Sequence, residues 1–264
     1  MKELSFAKEP SLRKPNFTSS KRFYTLLEKP WKDYAFPLIP FHLVKEMRWY
    51  GKFKHAIVDS GVEIFAHGAQ DYPAWFHNRY EFKAQQLTEI YGDRIWVVIP
   101  DYPDDYRNNP IEHNIAKTLR NIEIYHKIEG VNWVYPLQSD YLNLQSFHDS
   151  CHQVMKFKPE RVAIGTVCKC RNLDFIEACC RMARQHFPTQ HIHAFGPTLS
   201  ALPRILPYID SWDSTAYFCS RERGRGKCHN QKEREEYYWA YIKRVNEILE
   251  RYDSQIRFPI EVGV

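Results

Sequence analysis

At 264 residues, with 44% hydrophobic and 26% charged side chains, the chain is long enough to bury one substantial core, and its composition excludes a disordered or low-complexity class. No apolar run approaches the roughly eighteen residues of a membrane span, the opening MKELSFAKEPSLRKP lacks the apolar stretch of a signal peptide, and the seven cysteines, an odd number, fit reduced thiols, so a cytoplasmic protein is expected. The net charge of +5 excludes a polybasic chain as a whole, but Arg221, Arg223, Arg225 and Lys227, interleaved with Gly224 and Gly226, form a basic loop suited to gripping phosphates.

In chain order, residues 1–20, with Pro10 and Pro15 among charges, predict an extended arm. The apolar runs KRFYTLL (21–27) and YAFPLIPF (34–41) supply two strands. Six short β-branched runs follow, each closing on a polar residue or glycine: AIVDSG (56–61), IWVVIPD (95–101), WVYPLQS (133–139), RVAIGTV (161–167), HIHAFG (191–196) and IDSWDST (209–215). Helical spacing separates several of them, most clearly in Ile111, Ile115, Leu119, Ile122 and Ile128, and again in Leu173, Ile176, Cys180 and Ala183. Tyr241, Val245, Ile248, Leu249 and Tyr252 predict a final amphipathic helix over 231–252.

Strand and helix alternate, which implies an α/β chain with a parallel sheet. No glycine-rich fingerprint follows the first strand, and the polar residues fall at the ends of many strands rather than at one switch point. A single (β/α)8 barrel of TIM type over 1–264 is therefore expected, in preference to an open doubly wound sheet.

The strand ends collect Asp59, Asp101, Gln138, Gly165, His193, Asp210 and Asp213. Carboxylates and a carboxamide converging on one pocket suit a heterocycle that displays both donors and acceptors, as purines do. A further carboxylate across the sugar is able to attack its anomeric carbon, as in retaining glycosidases, with another carboxyl group moving the proton. The alternative reading of any one strand-end aspartate is a cap for the next helix. For His193 the alternative is a hydrogen-bonded strand histidine.

In this order the motifs resemble the tRNA-guanine transglycosylase superfamily, whose barrel carries a DSGG-type motif, an aspartate-ended strand, a GIVQG-type strand and a VDxFDC-type strand. The counterparts are Asp59-Ser60-Gly61, Asp101 in IPDYP, Gln138 in YPLQS, Gly165 in AIGTV, and IDSWDS, over residues 55–215. The resemblance implies Asp213 as the nucleophile at C1′ and Asp59 as the acid/base for the departing base. It implies Asp101 and Gln138 as readers of the base edges, and Gly165, Thr166 and Val167 as close backbone contacts. Asp210 is then supportive, and Phe65 substitutes for the stacking aromatic, since Val62 replaces the second glycine of DSGG.

The tRNA enzymes of this superfamily carry a zinc site after the nucleophile strand, built from C-x-C-x-x-C and a distant histidine. Here Cys219 and Cys228, with His229, fall short of a four-ligand set, and Cys168, Cys170, Cys179 and Cys180 read as buried thiols, so neither metal nor cofactor is expected. A barrel without that module, with GTVC and WDSTAY segments, resembles the deazapurine DNA modification branch, which exchanges guanine in DNA for 7-cyano-7-deazaguanine or a relative. The expected partners are DNA and the 7-deazaguanine base, with a helper protein if duplex must be opened before the base is flipped. In that setting His193 contributes to the pocket wall or touches nucleic acid, and the basic loop grips the backbone beside the target. Competing readings are a tRNA-guanine transglycosylase and a non-catalytic nucleic-acid-binding barrel subunit. A metal-dependent barrel aldolase or hydrolase lacks a ligand set.

Overall fold

The computed structural model describes residues 24–28, 36–44, 53–66, 71–104, 113–168, 170–215, 219–220, 224–225 and 231–257. Its strands are β1 (Tyr24–Glu28), β2 (Pro37–Pro40), β3 (Ala56–Asp59), β4 (Ile95–Val98), β5 (Trp133–Leu137), β6 (Arg161–Ile164), β7 (His191–Ala194) and β8 (Ser211–Ser214). The helices are α1 (Val62–Phe65), α2 (Phe76–Tyr91), α3 (Asn114–Tyr125), α4 (Leu144–Met155), α5 (Leu173–His186), α6 (Leu202–Ile205) and α7 (Gln231–Arg257). A two-residue pair, β9 (Cys219–Ser220) and β10 (Gly224–Arg225), runs antiparallel beyond β8.

Neighbouring strands pair in parallel in chain order, and β1 pairs with β8 as well as with β2, so the sheet closes into a barrel. The fold is α/β and TIM-like. Each predicted strand run overlaps a strand; β3 to β7 end before the carboxyl ends of their runs, where the polar residues begin, whereas β1 extends past its run to Glu28 and β8 starts only at Ser211. Among the described residues no α-helix lies between β1 and β2 or between β2 and β3, where residues 41–44 form a 3-10 turn, so the strict alternation starts only at β3. The predicted arm and Ile111 lie outside the described residues.

Strands covered on both faces read as nearly unbroken apolar runs, which is why the short β-branched segments stood out. Every residue of β5 and of β8 is buried. Helices α2 to α5 bury one stripe each. Phe76, Tyr80, Ala84 and Leu87 do so in α2, although exposed Phe82 and Ile90 blur the period. Phe175, Ile176, Cys179, Cys180 and Ala183 do so in α5, whose first turn is capped by the Asn172 side chain accepting from Phe175 N–H. Asn143 caps α4 in the same way through Ser146 N–H. The predicted final helix runs to Arg257, and its Tyr241 sits over fully buried Trp212 on the outer side of β8.

Residues on the inner side of the barrel meet across it. Trp96 of β4 is contacted by the rings of His55 (4.0 Å) and His191 (4.6 Å), with the Arg161 guanidinium 4.8 Å above it. These residues stand at the amino-terminal ends of their strands and plug that end of the barrel. Burial, together with Arg161 and His193, pushes His55 down to about 3. Burial acts first on His191 too, helped by His193, His55, Arg161 and Arg184, and holds it well below the usual imidazole range. The barrel floor therefore carries neutral imidazoles at neutral pH, with Arg161 as its cation.

Asp210 opens the turn into β8 and is a structural anchor. Its Oδ2 accepts from Ile192 N–H (2.9 Å) and from Arg184 Nη2 (2.5 Å). Arg184 also donates to the carbonyls of Tyr208, Phe187, Pro188 and Gln190, so one guanidinium ties α5 to the chain entering β7 and β8.

Candidate active site at the carboxyl ends of the strands

Asp59 is the last residue of β3, and its Oδ2 accepts from Gly61 N–H at 3.1 Å. Gly61 has φ +76° at the start of α1, a left-handed conformation that favours glycine, and a Cβ there would stand 3.3 Å from the Phe65 ring. The D-S-G sequence is thus a tight turn off the strand, in which Asp59 holds the turn through one oxygen. Phe65 is partly buried against Phe41, Phe76 and Trp75, with ring centres at 6.0, 5.1 and 5.7 Å. Trp75 is exposed at its edge and stacks under Arg79 at 5.4 Å.

Asp101 and Gln138, beyond the ends of β4 and β5, are buried and bonded to each other, Gln138 Nε2 donating to Asp101 Oδ2 at 2.5 Å. Ser60 Oγ donates to Asp101 Oδ1 (3.3 Å), and Tyr72 OH donates to the Asp101 carbonyl (3.1 Å). Ser60 and Tyr72 were not singled out in the sequence. Ser60 lies inside the D-S-G motif, whereas Tyr72 stands in a loop with no local signal. Gln138 Oε1 is buried without a hydrogen bond. The pair therefore keeps an amide acceptor and a carboxyl group together in a buried cluster at the carboxyl ends of the strands.

Burial raises Asp101 to about 6, against the opposing hydrogen bonds from Gln138, the backbone and Ser60. Its folded value exceeds the ordinary 3.8, so the native state holds the proton more tightly than the unfolded chain. The resulting stability is complete below about pH 4 and is lost as pH rises through about 6, an effect on the order of 3 kcal/mol from a shift of about two units. Asp101→Asn should remove this slope and unfold at a higher temperature than the parent at pH 7.5. Thermal unfolding of both proteins from pH 4 to 8 checks it, and parallel curves would count against the raised value.

Gly165 follows β6, and a Cβ there would stand 2.1 Å from Gln138 Nε2 and 2.7 Å from its Cδ. The close approach expected at this glycine is thus already made by the Gln138 amide. Its own N–H donates to Leu137 O (2.9 Å), and its carbonyl accepts from Cys168 N–H (2.9 Å). Gly165→Ala must displace Gln138 from Asp101, and we expect a loss of about 1–3 kcal/mol in denaturant unfolding, because the obstacle is a buried, bonded amide. An unchanged midpoint would contradict the packing. Thr166 is buried with its hydroxyl 2.5 Å from Ser139 Oγ, and the Val167 side chain is fully buried in the core.

Asp213 is the third residue of β8, buried with 7% of its surface exposed. Its Oδ1 accepts from Gly196 N–H at 2.8 Å and lies 3.4 Å from His193 Nε2. Gly196, at φ +52°, ends the HIHAFG run, and its turn brings that N–H onto the carboxylate. Among the described residues both contacts fall on Oδ1. The other side of His193 faces Ser211, with Nδ1 and Oγ 2.8 Å apart, and Ser211 Oγ is also 2.8 Å from His191 Nε2. His193 is thus beside Asp213 itself, a closer relation than a pocket wall.

In the described residues the polar strand ends form two groups. Ser60, Tyr72, Asp101, Gln138 and Gly165 are linked into one, and His191, His193, Gly196, Ser211 and Asp213 into the other. β1 and β2 separate β8 from β3 around the barrel. Arg225 lies in β10, and Arg221, Arg223, Lys227, Cys228 and His229 lie outside the described residues. Burial raises the thiols of Cys151, Cys179 and Cys180 far above the usual range, and Cys170 is a buried free thiol. Among the described residues no group of three or more histidine, cysteine or carboxylate side chains is placed to hold a metal ion, and no helix is long and apolar enough to cross a membrane.

Comparison with protein-family models and with curated proteins gives no match to this chain.

Proposed function

We propose that the chain is a DNA-guanine transglycosylase on a (β/α)8 barrel, exchanging guanine in DNA for a 7-deazaguanine base such as 7-cyano-7-deazaguanine. The observation that carries this reading is the contrast between two buried aspartates at the carboxyl ends of the strands. Asp213 is anchored through one oxygen by an N–H and faces an imidazole, which suits a carboxylate held ready to attack. Asp101 is paired with an amide and is pushed up to about 6 by burial, which suits recognition of a base edge.

In this mechanism the Asp213 oxygen bonds to C1′ as the C1′–N9 bond breaks, and the electron pair leaves with guanine, which takes a proton from Asp59. The incoming base then gives its N–H proton back to Asp59 and attacks C1′, and the ester bond breaks to restore the Asp213 carboxylate. No redox step or cofactor is needed. Gln138 and ionised Asp101 pair with the base edge, while Phe65 and Trp75 offer aromatic surface near the turn that carries Asp59. The basic residues Arg221, Arg223, Arg225 and Lys227 follow β8 and supply phosphate contacts. DNA is favoured over tRNA because Cys219, Cys228 and His229 are too few for the four-ligand zinc site of the tRNA enzymes.

The test is incubation with labelled 7-cyano-7-deazaguanine and either DNA or tRNA, followed by mass spectrometry of the nucleosides. Label in DNA is expected. Label confined to tRNA would replace the substrate, and label in neither would sink base exchange and favour a non-catalytic binding barrel.

A further inference from the structure

We infer that His193 is a positioning residue for Asp213: a buried chain from His191 through Ser211 directs the His193 Nε2–H onto Oδ1 of the carboxylate, leaving Oδ2 as the attacking oxygen. The inference rests on the nucleophilic role proposed for Asp213.

Ser211 Oγ has one hydrogen and stands 2.8 Å from a ring nitrogen on each side, so it donates to one imidazole and accepts from the other. If it accepts from His191 Nε2–H and donates to His193 Nδ1, neutral His193 carries its proton on Nε2, facing Asp213. If His193 is an imidazolium, Nδ1–H donates to Ser211, which turns its own hydrogen to His191, and Nε2 still carries a proton. Only a neutral His193 protonated at Nδ1 would set a bare nitrogen lone pair 3.4 Å from a carboxylate oxygen. That arrangement leaves two buried acceptors facing each other.

Nε2 is buried with no hydrogen bond, and Asp213 Oδ1 stands within ion-pair distance of it. A short rotation of the carboxylate closes the contact, as happens when substrate tightens a loose resting site. Gly196 N–H and His193 Nε2–H then share Oδ1. When Oδ2 bonds to the sugar carbon, Oδ1 becomes the ester carbonyl and keeps both donors. When the incoming base breaks the C1′–Oδ2 bond, the electron pair returns to the carboxylate and the same donors stabilise its charge.

The experiment is nitrogen NMR of the full chain with labelled histidine, His193 being assigned by its loss in His193→Gln. Nε2 of His193 is expected to carry the proton between pH 6 and 8. Ser211→Ala should relax this to a mixture of tautomers and lower kcat about tenfold with little change in KM for the nucleic acid. His193→Gln, whose amide nitrogen reaches the same place, should retain most exchange, whereas His193→Leu should lose roughly ten- to a hundredfold, the effect of one charge-assisted hydrogen bond. A bare Nε2 in the parent, or Leu and Gln variants equal in kcat, would overturn the inference. Should His193→Leu not fold, the parent spectrum and the Ser211→Ala kinetics still decide. A parent that exchanges no base on DNA or tRNA overturns the proposed function, whereas a parent that exchanges with Nε2 bare overturns the positioning role alone.

Discussion

Asp213→Asn is expected to bind DNA as the parent does and to exchange base slower by roughly three orders of magnitude or more, the scale on which losing a covalent nucleophile acts. The substitution is isosteric. Asn Oδ1 still accepts from Gly196 N–H, so the turn between β7 and α6 keeps its anchor and the fold should stay within about 1 kcal/mol of the parent. What disappears is the charge and nucleophilicity of the oxygen that bonds to C1′. Label incorporation followed by mass spectrometry measures exchange, and a gel-shift titration at fixed salt measures binding. Exchange at the parent rate would remove Asp213 from the mechanism, and joint loss of binding and unfolding cooperativity would make it a structural residue. The substitution also separates a catalyst from a binding-only barrel, because a barrel that merely binds is indifferent to it.

The largest expected effect on stability lies away from the chemistry. Arg184→Met keeps the unbranched apolar stem but removes the donors that meet four carbonyls and the Asp210 carboxylate. Among the described residues Asp210 then stays largely buried with Ile192 N–H as its remaining donor. Breaking a buried pair from one side costs about 3–5 kcal/mol, a large share of a domain's total stability. Chemical denaturation should show the midpoint falling sharply with an unchanged slope. The double variant Arg184→Met with Asp210→Asn should recover part of the loss, because no buried charge is stranded. A single variant within about 1 kcal/mol of the parent would show that solvent satisfies these groups.

Strands β3 to β8 were readable because they are largely buried and so apolar at consecutive positions, and because their runs meet polar residues where the barrel opens. Helices α3, α5 and α7 were readable through their stripes. In α2, exposed Phe82 and Ile90 interrupt the pattern, since surface apolar residues carry no period. The roles of individual polar residues were less readable. Asp59, Asp101, Asp210 and Asp213 look alike in sequence, yet one holds a turn, one is pushed up to about 6 by burial, one is bound to a guanidinium and one is held by a backbone N–H. Gly165 was expected to admit a ligand, and the space it leaves is taken by Gln138.

The environment of Asp213 shows most clearly where the two kinds of information divide. The local pattern of the chain alone determined that IDSWDS contains a strand, that its second aspartate comes near the strand's end, and that polar residues recur at the ends of its neighbours. Those properties follow from alternation and burial, which are carried by residues adjacent in the chain. Only the closed barrel decided that His193, twenty residues earlier, faces Asp213, that Ser211 joins it to His191, and that Gly196 N–H meets the same oxygen. Parallel pairing of β7 with β8 sets that register through backbone hydrogen bonds between segments far apart in sequence, and the spacing of side chains along either strand does not encode it.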